Sequence, residues 1–468
     1  MKLDRFGEFI GKAAQKFEPY SVYRPTPLNL KSLVQFGKTA AASKSFAFLK
    51  KELPIRIASM LKEVRCLPGN FLRTNAVLQI AQMYDDMFET LLKYEKCSPD
   101  RPSVISEFTD DLQTIIQRNS DVVALMAMGI KEMKERQGFS SDEEKWLDYF
   151  LDRFYISRIG IRTLMTQHTL LYGPVLRETE SHVGCIDPEC SPLRLAVTAY
   201  SYARLICSRV YGRSPGCNIH VLDCVSSKVC STREFFVSVD DNGQPSESCE
   251  LFDQLPSCAG LRVHGSDVTF CYIPGHLFHA LFELYKNAMR AVVERWVGES
   301  HLPELQMVIC LAPEDLTIKL CDRGGGMARH IADQAFKYTF TTATHLTPSV
   351  DISCSPDGTI HETLRSGQTE LNTDPENATY SPLAGRGHGL PLSRLYTRYL
   401  SGDLRLISVE GYGTTSFIHL KRLPEAANEL LPIFSRTSRA VYEHHEVDCD
   451  WITGNGFNRS AHFVYPSH

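Results

Sequence analysis

The stretch from His279 to Glu294, HALFELYKNAMRAVVE, constrains the fold of this chain more than any other. Leu281, Phe282, Leu284, Ala288, Met289 and Val292 predict a helix that is apolar around most of its circumference. His279, Glu283 and Asn287 recur every four residues, so all three project from one face. Polar residues on one stripe are usually a solvated face, but a helix this apolar elsewhere aims them at something. Two later segments supply it. CDRGGGM (Cys321 to Met327) sets Asp322 at a strand end, followed after Arg323 by Gly324, Gly325 and Gly326. GRGHGLPLSRLYTRYLSGDLRLISVEGYGT (Gly385 to Thr414) is a glycine-rich loop leading into a helix and then a strand hairpin. A lone GxG carries little weight. In this order and spacing, the acid-and-amide helix and the two glycine motifs predict an ATP-binding domain.

At 468 residues the chain has room for two or three domains, each with its own core. A net charge of −5 gives no basic excess for nucleic acid or an anionic membrane. No apolar run approaches a membrane span. The fifteen cysteines are scattered without a CxxC pair, and CIDPEC (Cys185, Cys190) lacks the spacing and histidines of a zinc site. Reduced thiols in a cytosolic or matrix compartment are expected. The first twenty residues are faintly amphipathic and basic but carry Asp4, Glu8 and Glu18, which leaves targeting open.

Thr26-Pro27 predicts an N-cap and first-turn proline for a helix over LNLKSLVQFGK. A second helix begins near Ser43 and is expected to kink or break at Pro54. Others follow over TNAVLQIAQMYDDMFETLLKY, Val104 to Glu135 and Asp142 to Tyr172, which suggests a helical bundle. From about Gly173 to Pro192 the composition shifts. Strand-like runs HVLDCVSS, SDVTFCYIP, LQMVICLAP, LTIKLCD, DLRLISVE and TTSFIHLKR then mix with helices, predicting an antiparallel or mixed sheet and not a doubly wound one. The polar stretch from Thr344 to Leu383, about 40 residues without periodicity, reads as a lid between the glycine motifs.

These motifs resemble the N, G1 and G2 boxes of the GHKL superfamily, which holds gyrase, heat-shock chaperone ATPases, histidine kinases and mismatch-repair ATPases. ELYKNAMRAVVE, DRGGGM and GLPLSRLYTRYLSGDLRLISVEGYGT are closer still to the mitochondrial protein kinases of 2-oxoacid dehydrogenases. YRPTPLNLKSLVQFGK, FLKKELPIRIASMLKEV, LPGNFLRT and LDRFYISRIGIRTLMTQHTLLYG extend the likeness through the N-terminal half. The ending LPIFSRTSRAVYEHHEVDCDWI resembles the tail of the pyruvate dehydrogenase kinases, including their Asp-Trp pair, here Asp450-Trp451. The resemblance implies an α+β multidomain chain: an N-terminal helical bundle at 1–180, a GHKL (Bergerat-type) α/β sandwich at 181–424 with an ATP lid about 343–389, and a tail at 425–468. It implies a matrix-located, homodimeric Mg²⁺- and ATP-dependent serine kinase. Its acceptor would be the alpha subunit of the pyruvate dehydrogenase decarboxylase. Docking would be on the lipoyl domain of the acyltransferase core, with Asp450 and Trp451 taking part.

Phosphoryl transfer asks for positioning and charge neutralisation. Asn287 offers an amide oxygen suited to Mg²⁺, while Lys286 and Arg290 are as readily solvated charges as phosphate contacts. The resemblance assigns Asp322 to the adenine amine, Gly324 and Gly326 to close approach of backbone to base, and Thr414 to completing that network. Gly385, Gly387 and Gly389 expose N–H groups, and a helix from near Leu390 adds its positive end. Arg386 and His388 stand where the family usually has aromatic residues, and Thr341 and Thr342 join the implied ATP contacts. Glu283 is the candidate general base and His279 its implied partner; in the ATPase branches such a Glu only orients water. His168 reads as a core histidine, not a phospho-acceptor. An IRNRHNDV-like segment of the family pyruvate pocket is here IIQRNSDV, with Ile116 and Asn119 replacing an Arg and a His, so weak pyruvate inhibition is expected. The rivals are a branched-chain 2-oxoacid dehydrogenase kinase, a GHKL clamp without a protein acceptor, and a binding-only pseudokinase, against which Glu283, Asn287 and Asp322 argue.

Overall fold

The computed structural model describes residues 16–67, 69–72, 74–138, 141–174, 181–225, 258–341, 352–354, 360–362, 387–444 and 451–453. Helix and sheet are both present, and the chain divides into two compact units. One comprises Met1–Cys185 with Asn428–His468, the other Ile186–Ala427.

In the first unit, helices α1 (Leu30–Thr39), α2 (Ala42–Val64), α3 (Asn75–Leu92), α4 (Pro102–Arg118), α5 (Val122–Gln137) and α6 (Ser141–Tyr172) pack chiefly as the pairs α2–α6, α2–α3, α4–α6 and α3–α5. Three local expectations are corrected. Asn29, not Thr26, caps α1 by accepting from Ser32 N at 2.7 Å, while the Thr26 N–H turns to Glu52. Of the kink or break expected at Pro54, the break is absent: helix α2 continues through it. A proline costs a helix interior about 3 kcal/mol, and burial of Phe46, Leu49, Leu53, Ile57, Met60 and Val64 around it outweighs that loss. The stretch from Val104 to Glu135 is two helices, broken at Asn119-Ser120-Asp121, whose short polar side chains compete with the helical ladder.

Buried charge organises this unit. Arg56 on α2 reaches Glu52 at 2.8 Å, Glu429 at 2.5 and 2.9 Å, and the Thr26 carbonyl at 2.9 Å. Glu429 also accepts from Leu28 N, and its own N–H donates to the Leu28 carbonyl. Further along the unit, Arg153 on α6 holds both oxygens of Glu63 at 2.8 and 2.6 Å and donates to the Ile433 carbonyl. Tyr442 on α10 (Arg436–His444) donates its hydroxyl to the same Glu63. His168 sits buried between Ser45 Oγ and Thr109 Oγ1, at 2.7 and 3.0 Å, as a core histidine.

The second unit is a six-stranded mixed sheet. Its strands are β2 (Cys217–Asp223), β3 (Leu261–His264), β5 (Leu305–Leu311), β6 (Asp315–Cys321), β7 (Asp403–Val409) and β8 (Gly413–Lys421), ordered β3-β2-β5-β6-β8-β7. Only the pairings of β2 with β3 and β5 are parallel. Alternate residues such as Ile219, Met307, Ile318 and Ile418 are buried, and α7 (Pro192–Tyr211), α8 (Pro274–Arg295) and α9 (Gly389–Tyr399) pack with one another in the order α7–α8–α9. The short pair β1 (Asp187–Cys190) and β4 (Phe270–Tyr272) is antiparallel. In the first unit β9 (Leu430–Pro432) pairs antiparallel with β10 (Trp451–Thr453), which sets Trp451 opposite Pro432.

Two outcomes follow for the first unit. Glu63→Gln leaves Arg153 charged and fully buried without its carboxylate, so denaturant titration should show a loss of about 3–5 kcal/mol. Burial lowers the His168 pKa from 6.5 to about 4, so the fold favours the neutral ring. Its contribution is intact above pH 6.5 and is lost as pH falls toward 4, about 3 kcal/mol in all. The acid limb of the stability curve should flatten in His168→Gln.

Candidate functional site

The site lies in the second unit, where α8 faces the turn after β6, the β7–β8 hairpin and the start of α9. Proline in the first turn starts α8, and its apolar residues Leu277, Phe278, Leu281, Leu284, Tyr285, Ala288, Met289 and Val292 are buried. The stripe of His279, Glu283 and Asn287 remains half-buried.

Glu283 forms an ion pair with Lys286 at 2.6 Å, one turn along the same helix, and the Lys286 ammonium lies 4.8 Å from the Phe282 ring centre. Lys286 is thus held at the carboxylate. Arg290 pairs with Glu294 at 2.8 Å, and Tyr211 donates its hydroxyl to the same oxygen. Asn287 makes no side-chain hydrogen bond among the described residues, so its amide oxygen is available. The His279 ring packs 4.8 Å from Tyr396 of α9, and its Nε2 has no hydrogen-bond partner among the described residues. Burial lowers its pKa; Glu283 pulls the other way and Lys286 adds to the lowering. No hydrogen bond joins His279 to Glu283 among the described residues.

Sequence reasoning passed over His276 and Tyr396. The Tyr396 ring is flanked by both histidines, 4.9 Å from His276 and 4.8 Å from His279, and Tyr399 also touches His276. Burial drives the His276 pKa to about 3. The i, i+3 spacing of the two histidines was the only visible signal, and it looks like ordinary helix surface.

Asp322 directly follows β6 and is fastened by three bonds. Its Oδ1 accepts from Gly324 N at 2.8 Å and Thr414 N at 3.2 Å, and its own N–H donates to the Thr414 carbonyl at 2.9 Å. Oδ2 has no protein partner among the described residues and is left as an acceptor. Burial raises the Asp322 pKa, opposed by the two N–H groups. The glycine turn is laced to the hairpin: Gly325 N donates to the Tyr412 carbonyl and Gly411 N to the Gly325 carbonyl. Gly326 has φ +63°, and a side chain there would overlap the Val409 carbonyl. Gly324 lies directly on Ala291 of α8. Trp296 Nε1 donates to the Arg323 carbonyl at 2.8 Å. Ser408, not anticipated, takes the Met327 N–H at 2.6 Å and shares a hydrogen bond with the Thr414 hydroxyl at 3.1 Å.

The second glycine motif arrives from the other side. Gly387 has φ +74° against the Tyr338 and Phe340 carbonyls, and the buried His388 ring stands 5.3 Å from Tyr338. Gly389 begins α9 with Leu390 beside it, and a β-carbon at Gly389 would overlap Glu283 Oε2. That near-contact brings the helix start to the acid of the α8 stripe. Thr341 is exposed. Thr342, Gly385, Arg386 and Asp450 lie outside the described residues, as does most of the polar stretch expected to form a lid. Trp451 opens β10 in the other unit.

An anchored carboxylate with one free oxygen, an unpartnered amide and a helix start beside a second carboxylate are the parts needed to hold a purine and its phosphates. Comparisons with known proteins bear on the family of the whole chain. Residues 27–187 match the family described as mitochondrial branched-chain alpha-ketoacid dehydrogenase kinase. The chain is similar to a mitochondrial pyruvate dehydrogenase (acetyl-transferring) kinase of Ascaris suum, 36% identical across 95% of both chains. It is 39% identical to the Drosophila melanogaster enzyme of that name, over 94% of this chain and 92% of that one. Identity to isozyme 4 of Homo sapiens is 35%, over 94% and 92%. The chain belongs to the family of the mitochondrial pyruvate dehydrogenase kinases.

Proposed function

We propose that this chain is a Mg·ATP-dependent protein serine kinase whose acceptor is the alpha subunit of the pyruvate dehydrogenase decarboxylase, and which thereby switches that complex off. The near-contact of Gly389 with Glu283 carries the reading. It joins a backbone N–H cradle, fit for phosphate oxygens, to a carboxylate able to take a hydroxyl proton. The finer fold we propose is the GHKL (Bergerat-type) sandwich, with the helical unit as its regulatory partner. The mitochondrial matrix, a homodimer and docking on the lipoyl domain through the Asp450-Trp451 tail complete the proposal.

In this reading Asp322 Oδ2 accepts from the exocyclic amine of adenine, and the Ser408–Thr414 pair fixes the far side of the base site. The N–H groups at 387–390 hold the phosphates. The residues fit a magnesium ion: Asn287 offers one hard oxygen without a competing partner, and such ions take few protein ligands when phosphates supply the rest. Bound there, Mg²⁺ would neutralise phosphate charge. Glu283 takes the serine hydroxyl proton as that oxygen bonds to the terminal phosphorus and ADP leaves. Lys286 holds the Glu283 carboxylate until the hydroxyl arrives. Burial holds His279 neutral behind it, packed against Tyr396.

The branched-chain kinase is the second reading, because the family match over residues 27–187 bears that description. Labelled ATP offered with pyruvate and branched-chain complexes separately divides the two. Acid-stable label should appear on the pyruvate enzyme. Glu283→Gln should reduce it by roughly 10²–10⁴-fold, the usual weight of a general base, with nucleotide affinity within a few-fold. Label on the branched-chain enzyme alone would replace the substrate, and hydrolysis without label would replace the reaction by that of a clamp.

Inhibition by pyruvate should be weak. Arg158 donates to the Asn119 carbonyl at 2.6 Å and Arg162 to the Ile116 carbonyl at 3.0 Å, while the Asn119 amide turns to Met87 Sδ. Neither Ile116 nor Asn119 brings a charge for a small carboxylate. A pyruvate titration beside the Drosophila relative should show a clearly higher half-inhibiting concentration here, and equal inhibition would refute the assignment.

A further inference from the structure

Two cysteines that the kinase reading leaves unused meet at one end of the sheet. Cys310 lies on β5, and Cys224 follows β2 directly. The register pairs Leu222 with Cys310 and Asp223 with Leu311. The Cys224 N–H donates to the Leu311 carbonyl at 2.8 Å, which keeps the residue alongside β5 after the strand ends. Two residues on from Leu222, Cys224 faces the same side of the sheet as Cys310. That is the open side, because Val221, Ile309 and Leu311 are buried while Cys310 is half-buried and Cys224 exposed. The two sulfurs are 3.7 Å apart and share a hydrogen bond.

We propose that Cys224 and Cys310 are a peroxide-responsive dithiol that closes an intrachain disulfide bond. Both are free thiols in this structure. The exposed Cys224 is the one that hydrogen peroxide reaches. Burial and the hydrogen bond with Cys224 both raise the Cys310 pKa, so Cys310 keeps its proton and stands as the resolving thiol. In the first step the Cys224 sulfur bonds to one peroxide oxygen, the O–O bond breaks, and the departing oxygen leaves as water, giving a sulfenic acid. In the second step the Cys310 sulfur bonds to the Cys224 sulfur, and the sulfenic oxygen leaves as a second water with the Cys310 proton. The two thiols lose two electrons and one peroxide gains them. Closing the gap to about 2.05 Å asks for side-chain rotation and a small shift at Cys224, which lies just past its strand and is tied to β5 by its N–H bond to Leu311.

The bond would tie the end of β2 to β5. Antiparallel pairing puts Leu311 opposite Leu316 and Gln306 opposite Cys321, so this is the end of β6 remote from Asp322. Nucleotide affinity should therefore be the same in both redox states. The proposal does not rest on the kinase reading.

The test treats the reduced full-length chain with a small excess of hydrogen peroxide, alkylates the remaining thiols and maps the unreduced peptides by mass. The expected product is a linked Cys224–Cys310 peptide pair, lighter by two hydrogens and reopened by a dithiol reductant. Cys310→Ser should strand Cys224 as a sulfenic acid, trapped by a cyclic 1,3-diketone roughly tenfold more than in the parent chain. Cys224→Ser should leave Cys310 alkylated. Either of two results would overturn the proposal. One is both thiols staying alkylatable at a dose that oxidises other cysteines. The other is Cys224 linked elsewhere or carried to sulfinic acid without a cross-link.

Discussion

The site depends on how closely α9 approaches α8. Gly389 stands where any side chain would collide with the Glu283 carboxylate, and two turns later Tyr396 packs against His279 and His276. The helices therefore run antiparallel along this contact, and one surface of α9 meets the acid and the histidines of α8 together. Backbone N–H groups at a helix start and a carboxylate would ordinarily be separated by side-chain bulk. Removing the β-carbon at one position removes that separation. The rest of the second unit holds the approach in place: Asp322 and Ser408 fasten the β6 turn and the hairpin, and Trp296 ties the end of α8 to Arg323.

Much of this was legible in the sequence because it is local. The polar stripe of α8 is a four-residue spacing, and the strands β5 to β8 alternate in the expected way. The glycine turns stand where backbones meet. What was not legible is carried by contacts distant in sequence or by elements too short to show a period. Ser408 is one serine in a strand until Met327 and Thr414 fold against it. Leu261–His264 has four residues, and Asp187–Cys190 has no strand-like composition at all. The proline of α2 misled because a local rule was applied to a helix whose stability comes from packing. The cap of α1 misled because Thr26 and Asn29 both satisfy the local rule, and only Glu52, on another helix, decides between them.

The buried charges of the first unit are the extreme case of non-local information. Arg56 and Glu429 lie 373 residues apart, Arg153 and Glu63 90 apart. Such pairs add little net stability over an apolar packing of the same shape, because both ions give up their hydration. Their use is exclusion: a return segment without Glu429 in place would leave the buried Arg56 without one of its two carboxylates and the half-buried Leu28 N–H without its acceptor. The pairs thus select one seat for Asn428–His444 in its own unit more than they strengthen it. Gly160 on α6 leaves the room that Arg56 and Glu429 occupy: a β-carbon there would stand 3.0 Å from Arg56 Nη1 and from Glu429 Oε1.

Charge plays a different part at Glu283. Its partner Lys286 sits on the same helix, and the two side chains are 15% and 13% exposed, so the pair is neither fully solvated nor sealed. A sealed pair would hold the carboxylate too firmly to exchange its partner for a hydroxyl. A fully solvated one would leave water as a standing competitor for the acid. The phenyl ring of Phe282 lies 4.8 Å from the same ammonium, so Lys286 makes a cation–π contact while it pairs with the acid. His279, neutral through burial, adds no positive charge that would hold the proton back. In the kinase we propose, this arrangement would suit a base that is covered until its substrate arrives.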